Sequence, residues 1–288
     1  MKQLLILSGK GGTGKTTIAG AFIKIAEAKA YADCDVDAPN LHLIRHHVSP
    51  PRRSDYYGMG KAVIDADSCV NCGLCRQNCR FDAISGSDGK YAIDAYACEG
   101  CGVCEAICPA GAISLKPAIA GELMIYKDDT VFSTAKLKMG SGTSGKLVTE
   151  VKKLLTLEAV DADLAIIDGS PGIGCPVIAS LSGVDMVLIV AEPSLSGISD
   201  MERIIITAEK FQLKIGVCIN KYDTNKDLAR KIETFCQERE LPFVGKIPFD
   251  TAAVKAINKG QSIVDADCNA GRAATKVFYK TILILNKQ

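Results

Sequence analysis

The sequence lacks an excess of charge of either sign. Its 288 residues include 34 lysines and arginines against 33 aspartates and glutamates, which gives a net charge of +1. Proteins whose main partner is a nucleic acid or an anionic membrane usually present a basic excess. We therefore expect no nucleic acid and no membrane as a partner, and the composition favours small molecules and other proteins.

The sequence also lacks a hydrophobic run long enough for a signal peptide or a membrane span. The N-terminal apolar run, from Leu4 to Leu7, has only the length of a buried strand. The C-terminal run V-F-Y-K-T-I-L-I-L begins at Val277, and its apolar residues are too crowded for a clean interfacial face. This run predicts a packed helix, and the protein is expected to be cytoplasmic.

Histidine is scarce, whereas cysteine is abundant. The three histidines, His42, His46 and His47, are close in sequence, and we expect them to be solvated rather than metal ligands. Eight of the thirteen cysteines form two spaced quartets, which in a cytosolic protein favours metal binding over disulfides. We expect four of the others to be buried as small hydrophobic residues: Cys34, Cys218, Cys236 and Cys268.

Both quartets have the spacing C-x2-C-x2-C-x3-C, and they comprise Cys69, Cys72, Cys75 and Cys79, and Cys98, Cys101, Cys104 and Cys108. This spacing resembles that of bacterial ferredoxins, in which the fourth cysteine of each run ligates the other cluster. The resemblance implies two [4Fe–4S] clusters, one bound by Cys69, Cys72, Cys75 and Cys108 and the other by Cys98, Cys101, Cys104 and Cys79. Zinc is the alternative, although a zinc ribbon needs only four ligands per site rather than a doubled run.

Strand-like and helix-like segments alternate outside the cysteine-rich block. Apolar runs of strand length lie at residues 3–8, 29–34, 164–167, 186–191, 213–219 and 243–247. This alternation is typical of a mainly parallel sheet with helices on both faces, so we predict an α/β fold. Residues 1–57 and 117–288 are predicted to form this domain, and residues 58–116 an inserted ferredoxin-like α+β domain. The two quartets lie in similar sequences, which predicts two similar halves within the insert.

The segment G-K-G-G-T-G-K-T, from Gly9 to Thr16, matches the P-loop pattern between a predicted strand and a predicted helix. Its glycines let backbone N–H groups approach phosphates, and the helix N-terminus adds positive potential. We expect Lys15 to contact the β and γ phosphates and Thr16 to bind Mg²⁺. The predicted nucleotide-binding residues of this P-loop NTPase are Gly9, Lys10, Gly11, Gly12, Thr13, Gly14, Lys15, Thr16 and Thr17.

The lysine inside this loop, Lys10, makes the motif resemble the deviant P-loop of the MinD/ParA superfamily, which includes the nitrogenase iron protein. The resemblance implies an ATP-dependent dimer, with itself or with a similar paralogue, in which Lys10 reaches the partner's nucleotide. It also implies that Asp35, in D-C-D-V-D-A-P-N-L, orients the attacking water and that Asp168, after L-A-I-I, lies next to Mg²⁺. Asn220, in N-K-Y-D, resembles the asparagine that reads adenine in the MinD group.

Two further features of these motifs stay open at this point. Asp33 and Asp37 flank Asp35, and they are as consistent with capping or surface positions as with catalysis. Cys175 lies seven residues after Asp168, where the nitrogenase iron protein has a cluster-bridging cysteine. The stretch from Lys138 to Lys146, where the other bridging ligand should lie, contains no cysteine. A bridging cluster is therefore disfavoured, and Cys175 is either a metal contact or a structural thiol.

The whole sequence resembles MinD-superfamily ATPases with an inserted ferredoxin domain, relatives of the Mrp-type iron–sulfur carriers. The resemblance implies an ATPase that binds ATP, Mg²⁺ and two [4Fe–4S] clusters, and that couples nucleotide-driven changes to electron transfer or metallocluster handling for a partner protein. The alternative is an assembly or carrier ATPase whose clusters are structural or cargo. A positioning ATPase of the ParA or MinD type is ranked last, because the sequence lacks a basic excess and a membrane-binding tail.

Overall fold

The protein is organised around one large sheet with helices on both faces. A computed structural model describes residues 1–44, 49–87 and 90–287. The strands are β1 (Lys2–Leu7), β2 (Ala30–Asp33), β3 (Arg52–Tyr57), β4 (Lys61–Ile64), β5 (Ile84–Ser87), β6 (Lys90–Ile93), β7 (Ile113–Lys116), β8 (Ile119–Lys127), β9 (Val131–Leu137), β10 (Leu164–Asp168), β11 (Met186–Ala191), β12 (Lys214–Asn220) and β13 (Phe243–Ile247). The helices are α1 (Lys15–Ile25), α2 (Leu74–Gln77), α3 (Val103–Ala106), α4 (Ser144–Glu158), α5 (Cys175–Leu181), α6 (Leu195–Lys210), α7 (Lys226–Glu238), α8 (Thr251–Ile257) and α9 (Asn269–Asn286).

The main sheet has the strand order β13-β12-β11-β1-β10-β2-β9-β8-β3. Neighbouring strands from β13 to β9 are parallel, and β8 and β3 are added antiparallel at one edge. Alternate residues of β1 enter different cores: Leu5 and Leu7 pack on one face, and Leu4 and Ile6 on the other. Burial on both faces explains the uninterrupted apolar runs and confirms the predicted, mainly parallel α/β sheet.

Predicted strands agree with the structure better than the first predicted helix does. The apolar run 186–191 coincides with β11. The stretch after the P-loop has helical character from Thr16 to Lys29, but α1 ends at Ile25. Glu27 has a φ of 46°, and this left-handed residue closes the helix earlier than the apolar pattern suggests.

Helix α9 packs against the sheet, as its crowded apolar pattern predicts. It buries Ala274, Val277, Phe278 and Leu285. The rings of Phe278 and Phe22 meet edge to face, with their centroids 5.1 Å apart. Among the helices of the described residues, none has the length and apolarity that crossing a membrane requires.

Two small antiparallel sheets lie between β3 and β8 in the chain. Strand β4 pairs with β7, and β5 pairs with β6. They share a separate small core with the cysteine-rich loops, formed around Ala62, Ile84 and Ile113. Strands β3 and β8 pair with each other. The chain therefore leaves the main sheet after β3 and returns to it at β8 on the same edge. A 3-10 turn, Leu41–Ile44, and β3 lie between the segment containing Asp35 and these two small sheets.

Candidate nucleotide and cysteine sites

The predicted P-loop connects β1 to α1 in the conformation that its glycines allow. Gly12 and Gly14 have φ values of 80° and 90°, a region that side chains with a Cβ atom rarely adopt. A Cβ atom at Gly14 would also overlap the amide nitrogen of Asn220. Lys15 is the first residue of α1, so the free N–H groups of the helix N-terminus point into the loop.

A cavity of about 720 Å³ opens above this loop. It is lined by all the predicted P-loop residues from Lys10 to Thr17, together with Asp35, Asp37 and Asn220. Gly9 is not part of the lining, because it packs against Asp200 at the base of the loop. The structure therefore brings together predicted residues from three separate segments of the chain.

Lys15 and Asp168 form a buried ion pair beneath the loop. Lys15 Nζ lies 2.5 Å from Asp168 Oδ1, and the side chains are 6% and 0% exposed. Lys15 Nζ also lies 3.5 Å from the Thr16 hydroxyl. The second carboxylate oxygen of Asp168 is buried and has no hydrogen-bond partner among the residues that the structure describes. An unpartnered carboxylate oxygen near a threonine hydroxyl is a donor set that suits Mg²⁺.

Asp33 and Asp35 differ in their surroundings. Asp33 is fully buried and accepts backbone N–H groups from Asp35, Asn40 and Leu41 at 3.0, 2.8 and 2.9 Å. Burial, followed by repulsion from Asp168, raises its pKa to about 7. Asp33 thus holds the segment after β2 in place. Asp35 lines the cavity, and burial also raises its pKa.

Lys10 points toward residues of its own chain. Its Nζ lies 3.3 Å from Glu192 Oε1 and donates to the Ser194 and Ser196 hydroxyls at 3.0 and 3.4 Å. The side chain is 33% exposed, which leaves the ammonium group accessible from the cavity. The proposed contact of Lys10 with a partner's nucleotide requires that these three interactions be released.

Asn220 lies at the carboxyl end of β12 and contacts the P-loop directly. Its amide donates to the Thr13 carbonyl at 2.6 Å, and Lys221 Nζ donates to the Gly12 carbonyl at 2.8 Å. Sequence analysis missed Lys221, and it also missed Phe249, which lines the same cavity after β13. Their positions after β12 and β13 could have identified both residues, because ligands of open α/β sheets bind outside the carboxyl ends of the strands.

The eight quartet cysteines line two separate cavities. One contains Cys69, Cys72, Cys75 and Cys108, and the other contains Cys79, Cys98, Cys101 and Cys104. Each cavity therefore combines three cysteines of one run with the fourth of the other run. The backbone is similar in both halves: Gly73 and Gly102 precede α2 and α3 with φ values of 75° and 78°.

The cysteine side chains do not converge on single points. Within the described ranges, no group of three or more His, Cys, Asp or Glu side chains is arranged to hold one metal ion. Four thiolates around one zinc ion would have to meet within about 2.3 Å of a common centre. One thiol already has a donor, since the Ala112 N–H lies 3.3 Å from Cys108 Sγ.

Four of the five remaining cysteines are buried, as expected. Cys34, Cys218, Cys236 and Cys268 are buried, and burial raises the pKa of Cys34 and of Cys218 to about 12. Cys175 is exposed at the start of α5, where the backbone of Gly145 packs against it. His42 is exposed. His46 and His47 lie outside the described residues.

The sequence profile of the CobQ/CobB/MinD/ParA nucleotide binding domain matches residues 4–263. The chain belongs to this family. An uncharacterized protein of Methanocaldococcus jannaschii is 31% identical over 283 residues, 96% of this chain and 95% of that protein. The septum site-determining protein MinD of Helicobacter pylori is 27% identical over 139 residues, 44% of this chain and 52% of that protein. MinD of Pyrococcus horikoshii, solved with Mg-ADP, has a TM-score of 0.56 and 18% identity, and the match covers 96% of this chain and 94% of that one.

Membership in the CobQ/CobB/MinD/ParA family changes the ranking of the functional hypotheses. The predicted P-loop fold and superfamily are confirmed. The relatives of this chain include MinD proteins, which their name describes as determining the septum site. The comparisons thus favour the ParA/MinD-type ATPase, which sequence analysis ranked last, over the electron-transfer hypothesis. The descriptions of these proteins name no iron–sulfur cluster and no ferredoxin domain.

Proposed function

We propose that the chain is a MinD/ParA-type ATPase that uses Mg-ATP to switch between a monomer and a dimer. The observation that carries this proposal is the buried pair of Lys15 and Asp168 beneath an open P-loop cavity. The unpartnered oxygen of Asp168 and the hydroxyl of Thr16 are the candidate ligands of Mg²⁺. The Mg-ADP complex of the similar Pyrococcus horikoshii MinD supports the choice of nucleotide.

The roles of the cavity residues follow from their positions. Lys15 and the loop N–H groups neutralise the phosphates, which lowers the barrier to phosphoryl transfer. Asp35, which lines the cavity without joining the Lys15–Asp168 pair, orients the attacking water. Lys10 leaves Glu192 and reaches the partner's nucleotide in the dimer. Asn220 connects the P-loop to the adenine base of the nucleotide, since its amide already contacts Thr13 in that loop.

We further propose that residues 58–116 form a ferredoxin-like domain with two [4Fe–4S] clusters, and that residues 1–57 and 117–288 form the ATPase domain. The division of the eight cysteines between two cavities supports this proposal. In a [4Fe–4S] cluster each thiolate binds a different iron, so the sulfurs need not converge on one point. When bound, the clusters supply one-electron redox chemistry.

Two uses of such an insert are compatible with the ATPase. In the first, the clusters pass electrons, or are themselves handed, to a partner protein. Cys72 and Cys101 are exposed, one in each cavity, and this favours access from outside. In the second, the protein is a positioning ATPase of the ParA or MinD type, and the clusters have a structural role.

The test is to measure iron and Mg-ATP hydrolysis on the same anaerobically purified protein. We expect about eight irons per chain and hydrolysis that falls at least tenfold in Lys15→Ala while the iron content stays unchanged. Absence of Mg-ATP binding would contradict the ATPase proposal, and absence of iron the cluster proposal. The rate at which a small acceptor oxidises the reduced clusters then tests electron transfer, because electron transfer alone requires that Mg-ATP change this rate.

A further inference from the structure

We propose that the segment 138–143, between β9 and α4, transmits the nucleotide state to the second cysteine repeat and leaves the first repeat unaffected. This inference rests on the proposed function, and it names the route by which that function reaches the insert. Glu99 is the positioning residue at the end of the route.

The route begins where β10 ends in the nucleotide site. Asp168 pairs with Lys15, and the residues that follow it remain tied to the loop. The Gly172 N–H donates to the Ser8 carbonyl at 3.0 Å, and the Ser170 hydroxyl donates to the Cys34 carbonyl at 2.5 Å. Nucleotide and Mg²⁺ at Asp168 therefore act on residues 168–174, which lead directly into α5.

Helix α5 contacts α4 at both of its own ends. At the start of α5, a Cβ atom on Gly145 would lie only 3.1 Å from the Cys175 carbonyl oxygen. At its end, the buried Lys152 of α4 donates to the Ala179 and Ser180 carbonyls at 3.4 and 2.7 Å, and also to that of Ser182. Side chains in such close packing move together rather than independently, so a shift of α5 carries α4 with it.

The segment that leads into α4 lies against the second cysteine repeat. A Cβ atom on Gly142 would lie 2.5 Å from Glu99 Oε2, so the carboxylate touches the backbone there. A Cβ atom on Gly140 would lie 3.9 Å from the Tyr96 carbonyl oxygen. The Tyr56 hydroxyl donates to the Thr143 carbonyl at 3.3 Å. Glu99 directly follows Cys98, so this contact reaches the loop that lines the second cysteine cavity.

The first repeat has no counterpart of this contact in its described residues. Glu99 follows the first cysteine of its run, and Val70 holds the same place after Cys69. Val70 is 64% exposed, whereas Glu99 is partly covered. The two cysteine cavities thus differ at this place: Glu99 beside Cys98 contacts the segment 138–143, whereas Val70 beside Cys69 is mostly exposed.

The test is amide hydrogen exchange of the protein as purified anaerobically, with and without Mg²⁺ and a slowly hydrolysed ATP analogue. We expect the nucleotide to change exchange at least twofold in three segments, 168–175, 138–145 and 94–101. Exchange in residues 68–74 should stay within error. A response in 168–175 that does not extend to 94–101, or an equal response in 68–74, overturns the inference.

Matched variants test the contact itself. In Glu99→Ala we expect the response of 138–145 to persist and that of 94–101 to disappear, because the carboxylate no longer bridges the gap. Glu99→Gln keeps the shape of the side chain and should restore the response. Val70→Ala, at the equivalent place in the first repeat, should leave all responses unchanged. A full response of 94–101 in Glu99→Ala contradicts the assigned route.

Failure of the ATPase proposal and failure of the route through residues 138–143 give different exchange results. If the analogue does not bind, the ATPase proposal fails and the route fails with it. If it binds and changes 168–175 while the insert does not respond, the ATPase proposal survives and the route is wrong. Exchange is measured independently of turnover, so a slow enzyme does not hide the result.

Discussion

Lys15 Nζ and Asp168 Oδ1 lie 2.5 Å apart, and this pair joins the first turn of α1 to the end of β10. Each side chain comes from a segment that contacts the nucleotide cavity. A buried ion pair adds little net stability, but removal of one partner leaves a costly uncompensated charge. The pair therefore balances the two buried charges until, in the proposed function, phosphate binds Lys15 and Mg²⁺ binds Asp168.

Substitution of Lys15 by methionine should both destabilise the nucleotide-free protein and abolish Mg-ATP binding. We expect a loss of about 3 kcal/mol in the free energy of unfolding, because Asp168 then remains buried without a cation. Denaturant titration measures this value. The double variant Lys15→Met/Asp168→Asn should recover part of the stability but none of the binding. A single variant as stable as the wild type would contradict the role assigned to the pair.

Lys10→Ala should weaken dimer formation more than nucleotide binding. Lys10 is held at 3.3 Å from Glu192 in its own chain, so its removal leaves the rest of the cavity intact. Sedimentation with Mg-ATP should show a dimer for the wild type and mainly monomer for Lys10→Ala, with affinity for nucleotide changed less than about tenfold. Lys24→Ala, which removes a half-exposed lysine paired with Asp265, is the control. Equal dimerisation of Lys10→Ala and wild type would show that Lys10 does not act across the interface.

Pairs of cysteine variants can establish which thiols share a cluster. Cys72 and Cys108 line the same cavity, whereas Cys72 and Cys79 line different ones. Cys72→Ala/Cys108→Ala should therefore retain about four irons per chain, and Cys72→Ala/Cys79→Ala should retain close to none. Ligation within each run, instead of across the two runs, predicts the opposite result. Iron analysis after anaerobic purification decides between them.

Lys152→Met should destabilise the protein by about 2 kcal/mol, because the lysine donates to carbonyls at the end of α5 that would lose their partner. Burial lowers the pKa of Lys152 from its usual value of 10.5. The unfolded chain therefore binds more protons than the folded one as pH rises toward that value, and the folded state gains stability. The wild type should thus gain stability relative to Lys152→Met as the pH rises toward 10.5, the usual pKa of lysine. Denaturation at several pH values measures the difference, and a constant difference would contradict the lowered pKa.

Local patterns in the sequence predicted most of the fold. The apolar runs predicted the parallel strands because a strand buried on both faces requires continuous hydrophobicity. The glycine spacing predicted the P-loop because Gly12 and Gly14 need positive φ values. The early end of α1 was not predictable in this way, since the left-handed Glu27 follows no composition rule. The antiparallel edge formed by β8 and β3 depends on pairing across the insert, which periodicity does not encode.

The residues of the candidate sites were predicted better than the contacts between them. Motifs identified Lys15, Asp168 and the cysteines, because each has a fixed spacing within one short segment. The contacts of Asn220 with Thr13 and of Glu99 with Gly142 join residues far apart in sequence, and no spacing rule reveals them. Lys221 and Phe249 were missed for the same reason. Sequence reasoning ranked the positioning ATPases last on charge and tail alone, although the family matches residues 4–263.

The central claim is that one chain combines a Mg-ATP switch with two [4Fe–4S] clusters. The most direct measurement is electron paramagnetic resonance of the reduced, anaerobically purified protein with and without Mg-ATP, together with iron analysis. The account predicts about eight irons per chain and cluster signals that change when Mg-ATP binds. Iron-free protein would contradict this claim, and cluster signals that do not respond to bound Mg-ATP would contradict the coupling of the clusters to the nucleotide.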